Sequence, residues 1–201
     1  QIQKRNYSEN ASRLIEDDNA YAFPHFSGEM ETGTGKTYVY LRTIFNRHNE
    51  AGLRKFIIVV PTVAIREGVL SSLAIMKDHF KSLYDNVPFD HYVYNSKDLS
   101  KVRQFATSNT LQIMVINIQA FQRDAGDVES YESLTPEEIK KLSVIHREQD
   151  KMSGVKPIEF IQAVRPVLII DEPQSVDNTA KAKRAINHLK PLFALRYSAT
   201  H

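Results

Sequence analysis

The chain has 201 residues, enough for one substantial core, and a formal net charge of +2, too small to mark a nucleic-acid binder by charge alone. It has no cysteine, which excludes disulfides and thiolate metal sites, and no apolar run near the ~20 residues that a membrane helix needs. The seven histidines form no spaced ligand pair, so no metal site built on histidine is expected. The absence of cysteine fits a cytoplasmic protein. The chain starts at Gln1 without Met or a signal-peptide core, and it reads as a fragment.

In chain order, Asn6 to Asn19 predicts a short helix capped by Ser8. Tyr21 to Met30 predicts a strand that is short or bent, because Pro24 and Gly28 interrupt it. Met30 to Thr37, Met-Glu-Thr-Gly-Thr-Gly-Lys-Thr, has the composition of a phosphate-binding loop. Gly33 and Gly35 allow the tight turn that aims successive N–H groups, that of Thr34 included, at one anion. Lys36 can reach the β- and γ-phosphates of ATP, and the Thr37 hydroxyl can ligate Mg²⁺. The usual opening glycine is replaced by Met30. A helix over Tyr38–Arg47 follows and stops near Gly52.

Phe56 to Val60 is an uninterrupted apolar run, the mark of a strand buried on both faces. Val63 to Tyr84 predicts one long helix with Val69, Leu73, Met76, Phe80 and Leu83 near one face. Phe89–Tyr94 and Leu111–Ile118 predict strands, with a helix over Leu99–Ala106 between them. From about residue 123 to 154 the chain turns polar and reads as an insertion with a helical start at Thr135-Pro136. Arg123 to Lys151 has eight acids against five bases, leaving it at −3 and the rest of the chain at +5. Few large apolar residues lie there, with Leu134, Ile139, Leu142 and Ile145 as a possible local stripe. Ile158–Val164 predicts a short helix, Val167–Ile170 a second buried strand, Ala180–Leu189 a helix, and Leu192–Tyr197 a final strand ending at Ser198-Ala199-Thr200.

Alternating strands and helices predict an α/β domain with a mostly parallel sheet covered on both faces. Ligands of such sheets sit at the carboxyl ends of the strands. The phosphate loop, Asp171-Glu172 and Ser198-Ala199-Thr200 are all expected there. Asp171 can hold Mg²⁺ and Glu172 can deprotonate an attacking water. Gln174 can sense a γ-phosphate, and Ser198 and Thr200 can couple nucleotide state to a neighbouring surface. Thr62, Asn117 and Gln119 follow strands and can bond nucleic-acid phosphates, although turn chemistry explains them equally well, and Arg66 is a weaker candidate for the same contact. Phe121, Tyr38 and Tyr40 read as core.

Taken together, Met-Glu-Thr-Gly-Thr-Gly-Lys-Thr, Val-Val-Pro-Thr-Val-Ala-Ile-Arg-Glu-Gly-Val, Ile-Asn-Ile-Gln-Ala-Phe, Ile-Ile-Asp-Glu-Pro-Gln-Ser-Val and Leu-Arg-Tyr-Ser-Ala-Thr-His resemble motifs I, Ia, Ib, II and III of superfamily-two helicases. The Asp-Glu-Pro-Gln variant and its surroundings resemble the restriction (Res) subunit of type III restriction–modification enzymes, in which Met at position 30 is usual. The resemblance runs from about Gly28 to His201 and leaves adenine recognition unassigned, Gln1 and Gln3 being the glutamines before the loop. It implies the first RecA-like domain of a DNA-dependent ATPase that acts on double-stranded DNA with a methyltransferase (Mod) subunit. It also implies a second RecA-like domain with an arginine finger, and a nuclease domain, C-terminal to this chain. Without that arginine the isolated chain is expected to be nearly inactive. The rival classes are an RNA helicase or remodelling translocase of the same superfamily, and a nucleotide-dependent scaffold without turnover.

Overall fold

The two uninterrupted apolar runs lie side by side at the centre of one six-stranded sheet, in which all strands are parallel. The computed structural model describes residues 21–31, 33–122 and 134–200. The predicted helix over Asn6–Asn19, the glutamines Gln1 and Gln3, and residues 123–133 lie outside the described residues.

The elements are β1 (His25–Glu31), α1 (Lys36–Ala51), β2 (Lys55–Val60), α2 (Val63–Ile75), α3 (Lys77–Leu83), β3 (Phe89–Val93), α4 (Ser100–Thr107), β4 (Leu111–Asn117), α5 (Pro136–Lys141), α6 (Pro157–Val164), β5 (Val167–Asp171), α7 (Pro173–Val176), α8 (Ala180–His188) and β6 (Phe193–Thr200). The strand order is β1-β6-β5-β2-β4-β3. This is an α/β RecA-like domain.

Strand side chains alternate between two cores, as the two-residue period requires. Phe56, Ile58 and Val60 of β2 and Val167 and Ile169 of β5 face α1, α2 and α3. Ile57, Val59, Leu168 and Ile170 face the other way, toward α4, α6 and α8. Both faces are thus covered, which is why these strands read as continuous apolar runs. In the first core Phe45 stacks on Phe80 with ring centroids 4.7 Å apart and meets Phe89 edge-on at 5.0 Å, a geometry that adds to simple area burial.

Three differences from the sequence reading have physical causes. β1 is a full seven-residue strand despite Gly28, because it pairs along its whole length with β6 and Pro24 lies before its first residue. The predicted helix over Val63–Tyr84 is two helices meeting at Met76; the break keeps Val69, Leu73 and Phe80 in the core and turns Leu83 outward, 46% exposed. β6 continues through Ser198 and Thr200, whose register partners are Glu29 and Glu31 of β1, so these residues lie within the strand and not after it.

Residues 134–154 form the short helix α5, started by a Thr135–Glu138 capping box with Pro136 behind it, and two single 3₁₀ turns. Leu134, Ile139, Leu142 and Ile145 do not share one helix stripe, because α5 ends at Lys141. Ile145 and Met152 are nevertheless buried in the second core beside Phe105 and Ile161, and His146 Nε2 bonds the Phe121 carbonyl at 2.8 Å. The polar composition of the segment hid these few anchors. Ile145→Ala should therefore cost about 2–5 kcal/mol in urea denaturation, as for other buried Ile truncations. A loss below about 0.5 kcal/mol, typical of surface changes, would show that the segment rests on the core without supporting it.

Candidate functional site

The end of β5 and the start of α1 converge on one side chain. Lys36 is the first residue of α1, and its ammonium lies 3.0 Å from Asp171 Oδ1 and also on Glu172 Oε1. The two strands that deliver these groups are not neighbours, because β6 lies between β1 and β5. With about 4.8 Å per strand, that places β1 and β5 about 10 Å apart, room for a ligand between loop and carboxylates.

The loop has the backbone that its glycines permit. Gly33 and Gly35 have φ of +81° and +86°, in the left-handed region, and a Cβ at either would meet nothing within 4 Å. The restriction there is conformational, not steric against a neighbour. Thr34 closes the turn, its hydroxyl donating to the Glu31 carbonyl at 2.6 Å and its N–H to the same oxygen at 3.3 Å. Lys36 and Thr37 then open α1, whose free N–H groups and dipole favour an anion at that point.

Asp171 ends β5 and is 3% exposed. Its Oδ2 accepts from the Tyr40 hydroxyl at 3.3 Å. Tyr40 is fully buried against Tyr197, so the core assignment holds, but its hydroxyl reaches Asp171, one of the groups expected to bind Mg²⁺. Its apolar surroundings in the sequence gave no sign of that. Burial and the neighbouring Asp171 carboxylate raise the Tyr40 phenol above its ordinary pKa and keep it a donor.

Glu172 has a left-handed φ of +56°, a costly conformation for a non-glycine residue and one that collects at functional sites. Two backbone groups of β6 hold it there. Its N–H donates to the Tyr197 carbonyl at 3.0 Å, and its carboxylate accepts from the Ala199 backbone. Gln174, exposed on α7, donates to the other carboxylate oxygen, Oε2. Ser198 lies between those two β6 residues. Contact between the carboxylate pair and β6 therefore runs through backbone, which no side-chain pattern could have revealed.

The charges are mutually adjusted. Burial opposes the Lys36 charge, but Glu172 and Asp171 outweigh it and raise the ammonium pKa. Burial raises Asp171 above its ordinary value, more than Lys36 and Tyr40 lower it. Burial also pushes Glu172 up, yet bonds from Lys36 and Gln174 prevail and hold it below the ordinary glutamate value.

The four residues expected at nucleic acid lie at the carboxyl ends of β2 and β4. Thr62 is exposed and caps α2, its oxygen accepting from Ile65 N–H at 3.2 Å. Arg66 pairs with its neighbour Glu67 at 2.8 Å. Asn117 ends β4 with its Oδ1 buried, and Gln119 Nε2 donates to the Pro61 carbonyl at 3.0 Å, tying the two strand ends together. Phe121 is fully buried, as expected of a core residue. Arg196, on the second face, pairs with buried Asp177 at 3.1 Å, and Tyr21 donates to the same carboxylate at 2.6 Å.

Across residues 1–201 the chain matches the family model described as Type III restriction enzyme, res subunit. The chain belongs to this family. It is 33% identical over 177 residues to the type III restriction-modification enzyme StyLTI Res subunit of Salmonella typhimurium, covering 86% of this chain. It is 29% identical over 182 residues to the EcoP15I Res subunit of Escherichia coli, and 28% over 182 residues to the EcoPI Res subunit of Escherichia phage P1, each covering 85% of this chain. The chain spans 18% of the length of each of these Res subunits. No helix among the described residues of this Res-family chain is long and apolar enough to cross a membrane.

In Lys36→Met the ammonium is gone and the side-chain volume is roughly kept. Both carboxyls lose a contribution that lowers their pKa, so Glu172 and Asp171 should each titrate higher than in the wild type. Carboxyl ¹³C NMR titration reads this directly. Unmoved Glu172 would mean that Gln174 and the Ala199 backbone, not Lys36, hold it down.

Proposed function

We propose that this chain is the ATP-binding motor domain of a DNA-dependent ATPase, working on double-stranded DNA as part of a type III restriction enzyme. The observation that carries the reading is the Lys36 ammonium held on Asp171 and Glu172, beside a glycine loop that opens a helix. In this reading the backbone of Gly33, Thr34 and Gly35 and the Lys36 ammonium hold the phosphates of ATP.

The chemistry of the donors fits Mg²⁺. Asp171 Oδ1 is buried, and although ion-paired it has no aligned hydrogen-bond donor, while Thr37 follows Lys36 in the first turn of α1. Thr37 and Asp171 would hold the ion, a small ligand set of the kind Mg²⁺ takes when phosphates and waters complete its shell. When bound, Mg²⁺ neutralises charge that builds on the phosphate oxygens.

Glu172 is the base that takes the proton of the attacking water, and Gln174 orients it. While Lys36 sits on Glu172 the carboxylate is a poor proton acceptor, since its pKa is held down. Phosphates that draw Lys36 away remove that hold, so the base strengthens as its substrate arrives. Ser198 and Thr200 on β6 pass the state of the site to DNA or to a second RecA-like domain. Thr62, Arg66, Asn117 and Gln119 face the DNA backbone. A second RecA-like domain with the arginine finger and a nuclease domain follow C-terminally, and a Mod subunit supplies site recognition. The names and greater length of the related Res subunits support this arrangement.

Two substitutions in the complete protein test the assignment together. Lys36→Ala should abolish tight ATP binding in calorimetry, because charge-assisted bonds to the phosphates are lost. Glu172→Gln should bind ATP and lose turnover by about 10²-fold or more, since an amide cannot take the proton. Equal ATP affinity in the first, or near-normal turnover in the second, overturns the corresponding role.

A further inference from the structure

A second feature lies away from the loop, at the ends of β3 and β4. Tyr94 directly follows β3 and Gln119 lies in the turn after β4. Between them and the 134–154 segment runs an open groove of about 850 Å³, walled also by Lys140, Lys141, Arg147 and Lys181. Four cations, three from the 134–154 segment and one from α8, thus line one groove, and among the described residues no acidic side chain lines it. Among the described acids beside these bases, Glu138 is turned back into the α5 capping box.

Two directed polar groups in the groove lack partners. Tyr94 is 8% exposed, and its hydroxyl has no hydrogen-bond partner among the described residues; neither has the buried Arg147 Nε. Buried polar atoms in native proteins are normally satisfied, so this pair marks a place for a ligand that offers oxygen acceptors. Burial pushes the Tyr94 phenol up to about 12, with Arg147 lowering it slightly, so it remains a donor at neutral pH.

We propose that this groove binds the phosphate backbone of duplex DNA, with Lys140, Lys141 and Lys181 as exposed point charges and Arg147 and Tyr94 as directed donors. The groove is too roomy for one inorganic phosphate, and its cations are spread over separate walls, which suits a ligand with repeated charges. Hydroxyl, amide, guanidinium and ammonium groups are those that position DNA by its phosphates. Gln119 joins the groove to the strand ends where Thr62 and Asn117 lie, so one track runs along the carboxyl edge of the sheet. The proposal rests on the reading of the chain as a DNA motor and names a part of the track that the motor motifs do not include.

The test is duplex DNA binding by the complete protein, titrated at several salt concentrations. The groove variant is Lys140→Gln with Lys141→Gln and Lys181→Gln, all exposed positions whose change leaves the core intact. The charge-matched control is Arg42→Gln with Lys77→Gln and Lys81→Gln, on the α1 and α3 layer. Each phosphate neutralised contributes about 0.9 to the slope of log affinity against log salt, so the groove variant should lose about 2–3 from that slope and the control almost none. Tyr94→Phe should weaken binding about 5-fold with the slope unchanged, the loss of one hydrogen bond without a charge. Equal slope losses in both triple variants, or no loss in the groove variant, overturn the groove. Displacement of a polyglutamate peptide but not of DNA by the groove substitutions also overturns it, in favour of an acidic protein partner. A wild-type protein that does not bind duplex DNA at all overturns instead the motor reading beneath it.

Discussion

The site depends on one charge contact, the Lys36 ammonium resting on the carboxylates of Asp171 and Glu172. It joins the first residue of α1 to the end of β5, two strands away from the loop that precedes α1. Neither carboxylate would be comfortable without it. Burial already raises Asp171, and Glu172 owes its depressed pKa in large part to the same ammonium. The contact is also one that an anionic ligand at the loop can replace, because phosphate oxygens offer Lys36 the same charge. In the proposed reading the contact is a place-holder that the nucleotide displaces.

β6 gives the contact its mechanical setting. It lies between β1 and β5, pairs with both, and holds Glu172 in a left-handed conformation through the Tyr197 carbonyl and Ala199 backbone. A shift of β6 relative to β5 would therefore act directly on the proposed base. Tyr40 does the corresponding work on the other carboxylate, fixing Asp171 from within the core. The chemistry sits at the strand ends, but its orientation is set by buried backbone and one buried phenol.

Much of this was legible in the sequence, for physical reasons. Phe56–Val60 and Val167–Ile170 announce doubly covered strands because a parallel sheet leaves no polar face. The glycines and Lys-Thr of the loop have few other uses in that spacing, and Asp171-Glu172 falls at the end of a buried run. What failed to show was long-range. The extension of β6 to Thr200 needed β1 as a partner, the break at Met76 carries no glycine or proline, and the Tyr40 hydroxyl sits among apolar neighbours in sequence. The acidic total of residues 123–151 concealed both the core anchors Ile145 and Met152 and the basic wall of the groove, since a net charge says nothing of where each side chain sits.

The most direct measurement is the position of the Lys36 ammonium when nucleotide is present, read from a crystal structure of the protein with Mg²⁺ and a non-hydrolysable ATP analogue. The account predicts that Lys36 Nζ moves off Glu172 onto the terminal phosphates, that Asp171 Oδ1 and the Thr37 hydroxyl face the metal, and that Glu172 is left open toward a water. Phosphates bound elsewhere, with Lys36 still on Glu172, would contradict it.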